Sequence, residues 1–215
     1  MRLILLGPPG AGKGTQCKRI IDKYQTAHLS SGDILRAERT AGTELGKMAQ
    51  GYMDSGALVP DDLIIDMMVA AMKKAPKGYV LDGFPRTTGQ AEALDKALVK
   101  AGEKIDAIVN LVVDDVLILP RMTGRRSCPK CGAVYHVETL RPKTENKCDK
   151  GCGSLVQRLD DKAEVVSNRL RTYHEQTAVV VGYYEKKNAV IINVDAAREI
   201  DQVSSAIFQK LDSLK

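Results

Sequence analysis

Gly7-Pro8-Pro9-Gly10-Ala11-Gly12-Lys13-Gly14-Thr15 stands between an apolar run and an amphipathic pattern. The run before it, residues 3–6, predicts a short strand that is buried on both faces. After it, Cys17, Ile20 and Tyr24 have the spacing that places side chains on one face of a helix. A strand, a glycine-rich loop, a lysine, a hydroxyl group and a helix in this order predict a site for a polyphosphate.

The chemistry of this loop suits an anionic ligand. Glycine lets backbone N–H groups point at a phosphate, and the helix N-terminus adds partial positive charge. Lys13 is placed to reach the β- and γ-phosphates, and the hydroxyl faces Mg²⁺. In the general pattern that hydroxyl directly follows the lysine, whereas here Gly14 intervenes and the hydroxyl belongs to Thr15. A tight turn without a ligand is the alternative, but this density of glycine, lysine and threonine favours nucleotide binding. The residues predicted to hold the phosphates are Gly10, Ala11, Gly12, Lys13, Gly14 and Thr15.

The composition is that of a globular protein without a nucleic-acid or membrane specialisation. The chain has 215 residues, of which 44% are hydrophobic and 27% are charged. Its formal net charge of +5 is mild and forms no concentrated basic stripe, so we expect no nucleic-acid partner. No stretch is long and apolar enough to span a membrane, and no signal-peptide pattern follows Met1, so we expect a cytoplasmic protein. Five cysteines in that compartment argue against disulfides.

A second informative stretch is Gly78-Tyr79-Val80-Leu81-Asp82-Gly83-Phe84-Pro85-Arg86. Its apolar part predicts a buried strand, and Asp82 stands at the carboxyl end of that strand. An aspartate in this position, beside a phosphate loop, is placed to hold Mg²⁺ through water. Gly83, Pro85 and Arg86 then form a stiff loop that presents a cation. A helix cap or a turn is the alternative role for Asp82, and the phosphate loop favours the metal role.

The remaining patterns alternate between strand and helix. Ser30 or Ser31 is a good N-cap, and one helical pattern continues from it to residues 55–56. Residues 107–113 and 190–194 predict further strands, and a long helical stretch begins near residue 161. Pro120 is expected to kink or end the helix in which it lies. The alternation predicts an α/β fold with a parallel sheet covered on both faces and with ligands at the carboxyl ends of its strands.

Three motifs together resemble those of the nucleoside monophosphate kinases. They are residues 7–15, Ser30-Ser31-Gly32-Asp33 with Leu35-Arg36, and residues 82–86. Their order and spacing are most similar to the adenylate kinase family in its long-lid form, and the resemblance runs from Arg2 to the C-terminal helix. It implies a P-loop NTP-binding fold with a central five-stranded parallel sheet flanked by helices. It also implies a mobile AMP-binding helical segment and a small zinc-ribbon-like β lid.

The resemblance further implies an activity and a division of the chain. The activity is reversible Mg²⁺-dependent phosphoryl transfer from ATP to AMP, giving two ADP and maintaining the adenine nucleotide balance, in a monomer. The implied core comprises residues 1–29, 60–123 and 162–215. The AMP-binding segment comprises residues 30–59, and the lid comprises residues 124–161.

Individual roles carry over to the matching positions of this sequence. The implied catalytic residues are Lys13, Asp82, Arg86, Arg125, Arg158 and Arg169. Beyond the phosphate loop, the residues implied to contact ATP are Arg121, Arg125, Val134, Tyr135 and Arg198. The residues implied to contact AMP are Ser31, Gly32, Arg36, Ala57, Leu58, Val59, Gly83, Phe84, Pro85, Arg86, Gln90, Arg158 and Arg169. Among these, Gln90 resembles the residue that reads the adenine of AMP, and Asp160 and Asp161 resemble hinge partners of the lid arginines.

Four cysteines in the insertion indicate a metal site. Cys128 and Cys131 form a C-x-x-C pair followed by glycine, and Cys148 and Cys152 form a pair one residue wider. Sixteen residues separate the two pairs, which is within the range of a four-cysteine zinc ribbon. Four thiolates leave Zn²⁺ no open coordination position, so we expect a structural role. Two disulfides, free thiols, or His136 as a replacement ligand are the alternatives.

Two other functions remain open at this point. A kinase for UMP or CMP would have the same loop, although Gln90 and the long lid favour AMP. A phosphate-loop regulator or a zinc-ribbon nucleic-acid binder is the alternative from a different class. The scarcity of aromatic residues and the density of arginines in the predicted site argue against it.

Overall fold

The computed structural model describes residues 1–214, and the last residue of the predicted core, Lys215, lies outside them. Five parallel strands form a central sheet in the order β2-β3-β1-β4-β7, and two antiparallel strands, β5 and β6, form a second sheet. The strands are β1 (Arg2–Leu6), β2 (Ala27–Ser30), β3 (Tyr79–Asp82), β4 (Ala107–Val112), β5 (Arg125–Ser127), β6 (Val134–His136) and β7 (Ile191–Asp195). The α-helices are α1 (Lys13–Tyr24), α2 (Ser31–Ala41), α3 (Glu44–Ser55), α4 (Asp61–Lys73), α5 (Thr88–Ala101), α6 (Asp115–Thr123), α7 (Ala163–Thr172), α8 (Val179–Glu185) and α9 (Ile200–Asp212). The predicted five-stranded parallel sheet is confirmed.

Strand β1 is buried on both faces, as its apolar run predicts. Successive side chains of a strand point to opposite faces. Leu3 and Leu5 therefore join the core that α1 and α9 cover, whereas Ile4 and Leu6 join the core under α4, α5 and α8. Helices on both faces leave the carboxyl end of the sheet as the place where a ligand can reach it.

The register of the sheet brings the polar motifs to one edge. Asp82, the last residue of β3, pairs with Ser30 in β2 and with Leu5 in β1. The phosphate loop leaves β1 one residue later, and α2 begins directly after Ser30. Three segments that are far apart in the chain therefore meet at the carboxyl ends of neighbouring strands.

The helical pattern after Ser30 forms two helices, so the expectation of one helix was wrong. Ser30 caps α2 by accepting a hydrogen bond from the Asp33 N–H at 3.3 Å, and Gly42 ends α2 with a φ of 69°. Thr43 then caps α3, since its Oγ1 accepts from the Gly46 N–H at 3.1 Å. A glycine followed by an N-capping threonine ends one helix and begins the next.

Pro120 does not end its helix, because α6 continues to Thr123. The proline lacks the N–H that would bond one turn back. Packing compensates for this loss, since Ile118 and Met122 are both fully buried against Val166 of α7. The last turn is also closed by a hydrogen bond from the Gly124 N–H to the Pro120 carbonyl at 3.0 Å.

The remaining helical stretch and the β5–β6 sheet lie around the same edge. The stretch predicted from residue 161 comprises a short 3-10 turn (Leu159–Asp161), α7, a π-helical turn (Tyr173–Thr177) and α8. The turn between β5 and β6 contacts α1 where Lys18 Nζ donates to the Gly132 carbonyl at 3.1 Å. Within residues 1–214, the helices are too short or too polar to cross a membrane.

Candidate active site

The loop after β1 opens the N-terminus of α1 to an anion. Gly7, Gly10 and Gly12 have φ angles of 137°, 76° and 91°, a region that L side chains rarely adopt. Gly12 is the N-cap of α1 and brings no side chain to the first-turn amides, of which the Thr15 N–H donates to the Gly12 carbonyl at 3.0 Å. A Cβ on Gly12 would meet none of the described atoms within 4 Å. This is the geometry in which a helix N-terminus binds phosphate.

Lys13 is held under the loop by backbone carbonyls. Its Nζ donates to the Gly7 carbonyl at 2.7 Å and to the Pro8 carbonyl at 2.8 Å. Desolvation lowers the pKa of Lys13 from 10.5 to about 7, and nearby arginines lower it as well, while Asp82 opposes the shift. A bound polyphosphate would supply the negative charge that the protonated amine lacks here.

Asp82 faces the same loop from the end of β3. Its Oδ2 lies 3.9 Å from the position that a Cβ on Gly14 would take. His28 Nε2 lies 3.1 Å from that Oδ2 atom, and the donor atoms of Cys17, His28 and Asp82 are within 4.8 Å of one another. Cys17 is buried, as expected for packing. The sequence carried no signal for His28, because only the parallel register of β2 and β3 brings it to Asp82.

A cleft of about 580 Å³ lies between α2, α3 and the loop after β3. It contains most of the residues implied to contact AMP. Among the residues that line it are Ser31, Gly32, Arg36, Val59, Arg86 and Gln90. The folded chain therefore gathers into one cavity a set of side chains that the sequence had placed in three separate segments.

The carbonyl of Gly83 organises this cleft. It accepts from Ser31 Oγ at 2.7 Å and from Arg86 Nε at 2.8 Å. Gly83 has a φ of 73°, and a Cβ on it would stand 2.8 Å from Arg86 Nη2. Position 83 therefore requires glycine both for its backbone conformation and for the close approach of the guanidinium.

A second cleft, of about 490 Å³, lies against the phosphate loop. Gly7, Pro9 and Lys13 line it, and so do Arg86 and Arg169. The same two arginines also line the first cleft. Two cavities, one at the phosphate loop and one at α2, therefore meet at a pair of guanidinium groups.

Two aspartates at the carboxyl end of the lid segment hold the arginines in place. Asp161 is fully buried and accepts from Arg125 Nε and Nη2 at 2.8 and 2.5 Å. Asp160 accepts from Arg169 Nη1 at 2.8 Å through its carboxylate and at 3.0 Å through its carbonyl. Bidentate and charge-assisted hydrogen bonds of this kind fix a guanidinium in one orientation.

The cations are crowded and partly desolvated. Burial, together with the neighbouring arginines, lowers the pKa of Arg158 and of Arg169 to about 10. Burial also lowers the pKa of Arg86. Arg158 Nε donates to Ser127 Oγ at 3.2 Å, and Arg36 Nη2 donates to Asp33 Oδ1 at 2.5 Å. Cations that are kept together out of water define a site for a highly charged anion.

The remaining arginines implied to contact ATP lie near the end of β7. Arg121 Nη1 donates to the Ala196 carbonyl at 2.9 Å. Arg198 Nε lies 3.1 Å from Asp195 Oδ2, and its side chain is exposed. Arg121 thus remains oriented by the core despite the neighbouring Pro120.

Two residues implied to contact nucleotides turn their side chains into a core. The Phe84 side chain is fully buried in the main core. The Tyr135 side chain belongs to the lid core, where its hydroxyl lies 3.6 Å from Cys148 Sγ and accepts from the Asp149 N–H at 2.9 Å. Any contact that these two residues make with a nucleotide therefore uses their backbone.

Gln90 has partners that sequence reasoning missed. Its Oε1 accepts from the Arg86 N–H at 2.7 Å, and its Nε2 donates to Asp61 Oδ1 at 2.7 Å. Asp61 also accepts from Thr87 Oγ1 at 2.7 Å. In the sequence Asp61 stands only at a helix start, where an aspartate is ordinary.

The four lid cysteines come together as a cluster. Their sulfur atoms lie within 4.8 Å of one another, and the Sγ atoms of Cys131 and Cys148 are 3.6 Å apart. Tetrahedral zinc with Zn–S bonds of ~2.3 Å places sulfurs roughly 3.8 Å apart, so the cluster fits this ion. Desolvation opposes ionisation of Cys148, but the Lys150 N–H, the Tyr135 hydroxyl and the neighbouring thiols hold its pKa at about 6. The cluster consists of Cys128, Cys131, Cys148 and Cys152.

The structure disagrees with two of the alternatives for these cysteines. None of the four sulfurs is bonded to another cysteine, so neither pair forms a disulfide. His136 is occupied elsewhere, because its Nδ1 accepts from the Glu138 and Thr139 N–H groups at 3.1 and 3.2 Å. Its Nε2 lies 3.1 Å from the Pro120 carbonyl. His136 therefore ties the lid to α6, and the group that could hold a metal ion consists of the four sulfurs.

The fold and the site define a phosphate-loop phosphotransferase with two adjoining anion-binding clefts. Comparison with known protein families agrees, since the family model described as adenylate kinase matches residues 5–189. The chain belongs to the adenylate kinase family and is a nucleoside monophosphate kinase.

Curated relatives align along the whole chain. An adenylate kinase of Archaeoglobus fulgidus is 48% identical over 217 residues, which cover 100% of both chains. An adenylate kinase of Lachnospira eligens is 51% identical over 214 residues, covering 98% of this chain and 100% of the relative. One from Caldanaerobacter subterraneus subsp. tengcongensis is 46% identical over 214 residues, covering 98% and 96%.

Proposed function

We propose that the chain transfers the γ-phosphoryl group of MgATP directly to AMP, giving two ADP, and so maintains the adenine nucleotide balance. The observation that carries this proposal is the meeting of two clefts at Arg86 and Arg169. A donor in the phosphate-loop cleft and an acceptor in the cleft beside α2 would bring their phosphates together at these guanidinium groups. Direct in-line transfer needs this proximity and no covalent intermediate.

On the donor side, the loop amides and Lys13 would hold the β- and γ-phosphates of ATP. The Thr15 hydroxyl and the Asp82 carboxylate would orient Mg²⁺, the carboxylate through water. Arg121, Arg198 and the backbone of β6 would enclose the adenosine moiety. The residues assigned to ATP are Gly10, Ala11, Gly12, Lys13, Gly14, Thr15, Arg121, Arg125, Val134, Tyr135 and Arg198.

On the acceptor side, Arg36 and Arg86 would hold the phosphate of AMP, and Gln90 would read its base. Ser31 and Gly32 contribute the start of α2, and residues 57–59 line the same cleft as Gln90. The residues assigned to AMP are Ser31, Gly32, Arg36, Ala57, Leu58, Val59, Gly83, Phe84, Pro85, Arg86, Gln90, Arg158 and Arg169.

The arginines between the two nucleotides would stabilise the transferring group. Negative charge spreads over three equatorial oxygens during phosphoryl transfer, and fixed cations lower the barrier most when they need not reorganise. The carboxylates of Asp160 and Asp161 hold Arg169 and Arg125 in such fixed positions. Closure of residues 30–59 and of the lid, residues 124–161, would exclude water and prevent hydrolysis of ATP.

The lid sulfurs would hold a structural Zn²⁺. The buried cluster of the lid contains only Cys128, Tyr135, Cys148 and Leu155 among the described residues, so this module has little apolar core. A closed four-thiolate site would stabilise its fold and take no part in the chemistry. We further propose a cytoplasmic monomer that requires neither nucleic acid nor membrane.

A coupled assay of ADP formation tests the proposed function. With MgATP, we expect turnover with AMP and much slower turnover with UMP or CMP. A preference for UMP or CMP would refute the choice of acceptor. Tight binding of RNA or DNA without transfer would instead support a nucleic-acid binder. Arg86→Ala and Arg169→Ala should each lower kcat at least a hundredfold, because each removes a cation from the junction of the clefts.

A further inference from the structure

Asp61 and the Arg86 N–H hold the side-chain amide of Gln90 from opposite ends. The carboxylate of Asp61 can only accept hydrogen bonds, and a backbone N–H can only donate. Asp61 lies 2.7 Å from Nε2, and the Arg86 nitrogen lies 2.7 Å from Oε1. Rotating the amide by half a turn would place oxygen against carboxylate and NH₂ against N–H. The chemistry of the two partners therefore sets the orientation of the amide.

Asp61 is itself held in position. Its second oxygen accepts from Thr87 Oγ1 at 2.7 Å, and Thr87 Oγ1 in turn accepts from the Gln90 N–H at 3.0 Å as the N-cap of α5. A Cβ on Gly89 would stand 3.1 Å from the same carboxylate oxygen. The start of α4 and the start of α5 are thus joined through one carboxylate.

The amide retains one N–H and one acceptor lone pair side by side. Gln90 is only 2% exposed, and it lines the cleft assigned to AMP. A carboxamide recognises adenine through two hydrogen bonds, one to a ring nitrogen and one from the N6 amino group. Purines with an oxygen at position 6 present an acceptor where adenine presents a donor. An amide that cannot rotate would place its own oxygen against that O6 atom.

We propose that Asp61 is a specificity-determining positioning residue, which locks the Gln90 amide in the orientation that accepts adenine and rejects 6-oxopurines. This inference rests on the proposed role of Gln90 at the base of AMP. Asp61 acts through Gln90 and touches no nucleotide itself. The substrate class that it excludes comprises the monophosphates of hypoxanthine and guanine.

The test compares kcat/KM for AMP and IMP at saturating MgATP. IMP is the matched probe, because it differs from AMP at position 6 and at the N1 proton. In Asp61→Ala we expect the ratio of kcat/KM for AMP to kcat/KM for IMP to fall about tenfold, which is the effect of losing one contact to the base. The change should appear mainly as a higher KM for AMP, with kcat and the KM for ATP preserved. Asp61→Asn offers a donor as well as an acceptor, so only the Arg86 N–H still opposes rotation of the amide, and we expect a fall of about threefold in the ratio.

Asp62→Ala is the control, because Asp62 is exposed and shares the first turn of α4 with Asp61. It removes the same favourable charge from the helix start and should leave the ratio unchanged. A double variant provides the sharper test. In a Gln90→Ala background, Asp61→Ala should have no further effect on the ratio, since Asp61 acts only through the amide.

The outcomes separate the inference from the function on which it rests. If Asp61→Ala and Asp61→Asn lower kcat/KM equally for AMP and IMP, Asp61 has a structural role and the inference is wrong. The same holds if the effect on the ratio persists without Gln90. If Gln90→Ala leaves the KM for AMP unchanged, Gln90 does not bind the base of AMP, and the inference about Asp61 is wrong as well. The proposed transfer from ATP to AMP would not be contradicted by that result.

Discussion

Asp161 accepts both hydrogen bonds of the Arg125 guanidinium, with Nε at 2.8 Å and Nη2 at 2.5 Å, and is itself fully buried. The pair joins the first strand of the lid to the segment through which the lid returns to the core. The Arg169 guanidinium lies 3.8 Å from the same carboxylate. One buried carboxylate therefore orients Arg125 and lies within ion-pair distance of Arg169, which lines both clefts.

Asp161→Asn should both destabilise the protein and slow transfer. Removing one partner of a buried ion pair leaves the other without compensation, which costs about 3 kcal/mol. Urea unfolding measures this loss, and the coupled assay should show a fall in kcat. The control is Asp201→Asn, which breaks the exposed Arg19–Asp201 pair and should cost less than about 1 kcal/mol. Equal losses of stability in the two variants would show that burial does not increase the contribution of the Arg125–Asp161 pair to stability.

Lys13 should make stability depend on pH above neutrality. Its pKa is about 7 in the folded, ligand-free protein and 10.5 when unperturbed. Between these values the unfolded chain binds more protons, so the free energy of unfolding rises with pH. The free energy of unfolding of the wild type, minus that of Lys13→Met, should therefore rise by about 1 kcal/mol per pH unit from pH 7.5 to 9. Saturating MgATP should abolish this slope, because the phosphates keep Lys13 protonated. A constant difference would contradict the prediction.

Chelation should remove one zinc ion per chain and lower the melting temperature. The lid has few buried apolar residues, so a bound metal would supply much of its stability. We expect a fall of roughly 10 °C by calorimetry. Cys131→Ala should show the same loss of metal in elemental analysis. Cys17→Ala, which alters a buried cysteine outside the lid cluster, should retain one zinc per chain. An unchanged melting temperature after removal of the metal would show that the lid is stable without it.

Gly12→Ala and Gly42→Ala separate backbone strain from phosphate binding. Both glycines have positive φ, 91° and 69°, and a Cβ on either meets none of the described atoms within 4 Å. Each alanine should therefore cost about 1–2 kcal/mol of stability through strain alone. Only the alanine at position 12 stands in front of the amides of α1, so only it should raise the KM for ATP. A similar effect of Gly42→Ala on that KM would indicate that strain is the common cause.

Arg36→Ala should affect AMP and leave ATP almost untouched. Arg36 lines the acceptor cleft, whereas Arg39 of the same helix pairs with Asp54 at 3.0 Å and links α2 to α3. Loss of a charged hydrogen bond to phosphate costs about 1.5–3 kcal/mol, so the KM for AMP should rise roughly tenfold to a hundredfold. Steady-state kinetics with each nucleotide varied in turn measures this, with Arg39→Ala as the comparison. An equal rise for ATP would place Arg36 between the nucleotides.

Much of the fold was predictable because its signals are local. The strand and loop around Gly12, the strand before Asp82, and the paired cysteines are each a short pattern with one physical meaning. Where local signals competed, prediction was weaker. The single helix expected across residues 31–55 breaks at Gly42, and Pro120 stays within a helix because buried neighbours hold it there.

The sequence by itself determined the class of the protein, since glycine conformation, periodicity and ligand chemistry act over a few residues. Tertiary structure alone decided how charges and amides are oriented. Nothing near Asp61 in the chain indicates Gln90. The family resemblance implied that Asp160 and Asp161 pair with lid arginines, but only the fold shows that Asp161 holds Arg125, which lies 36 residues away. Their contacts depend on where helices begin and how strands are registered, and those positions follow from packing of the whole core. Which partner each of these residues holds was therefore visible only once the chain was folded.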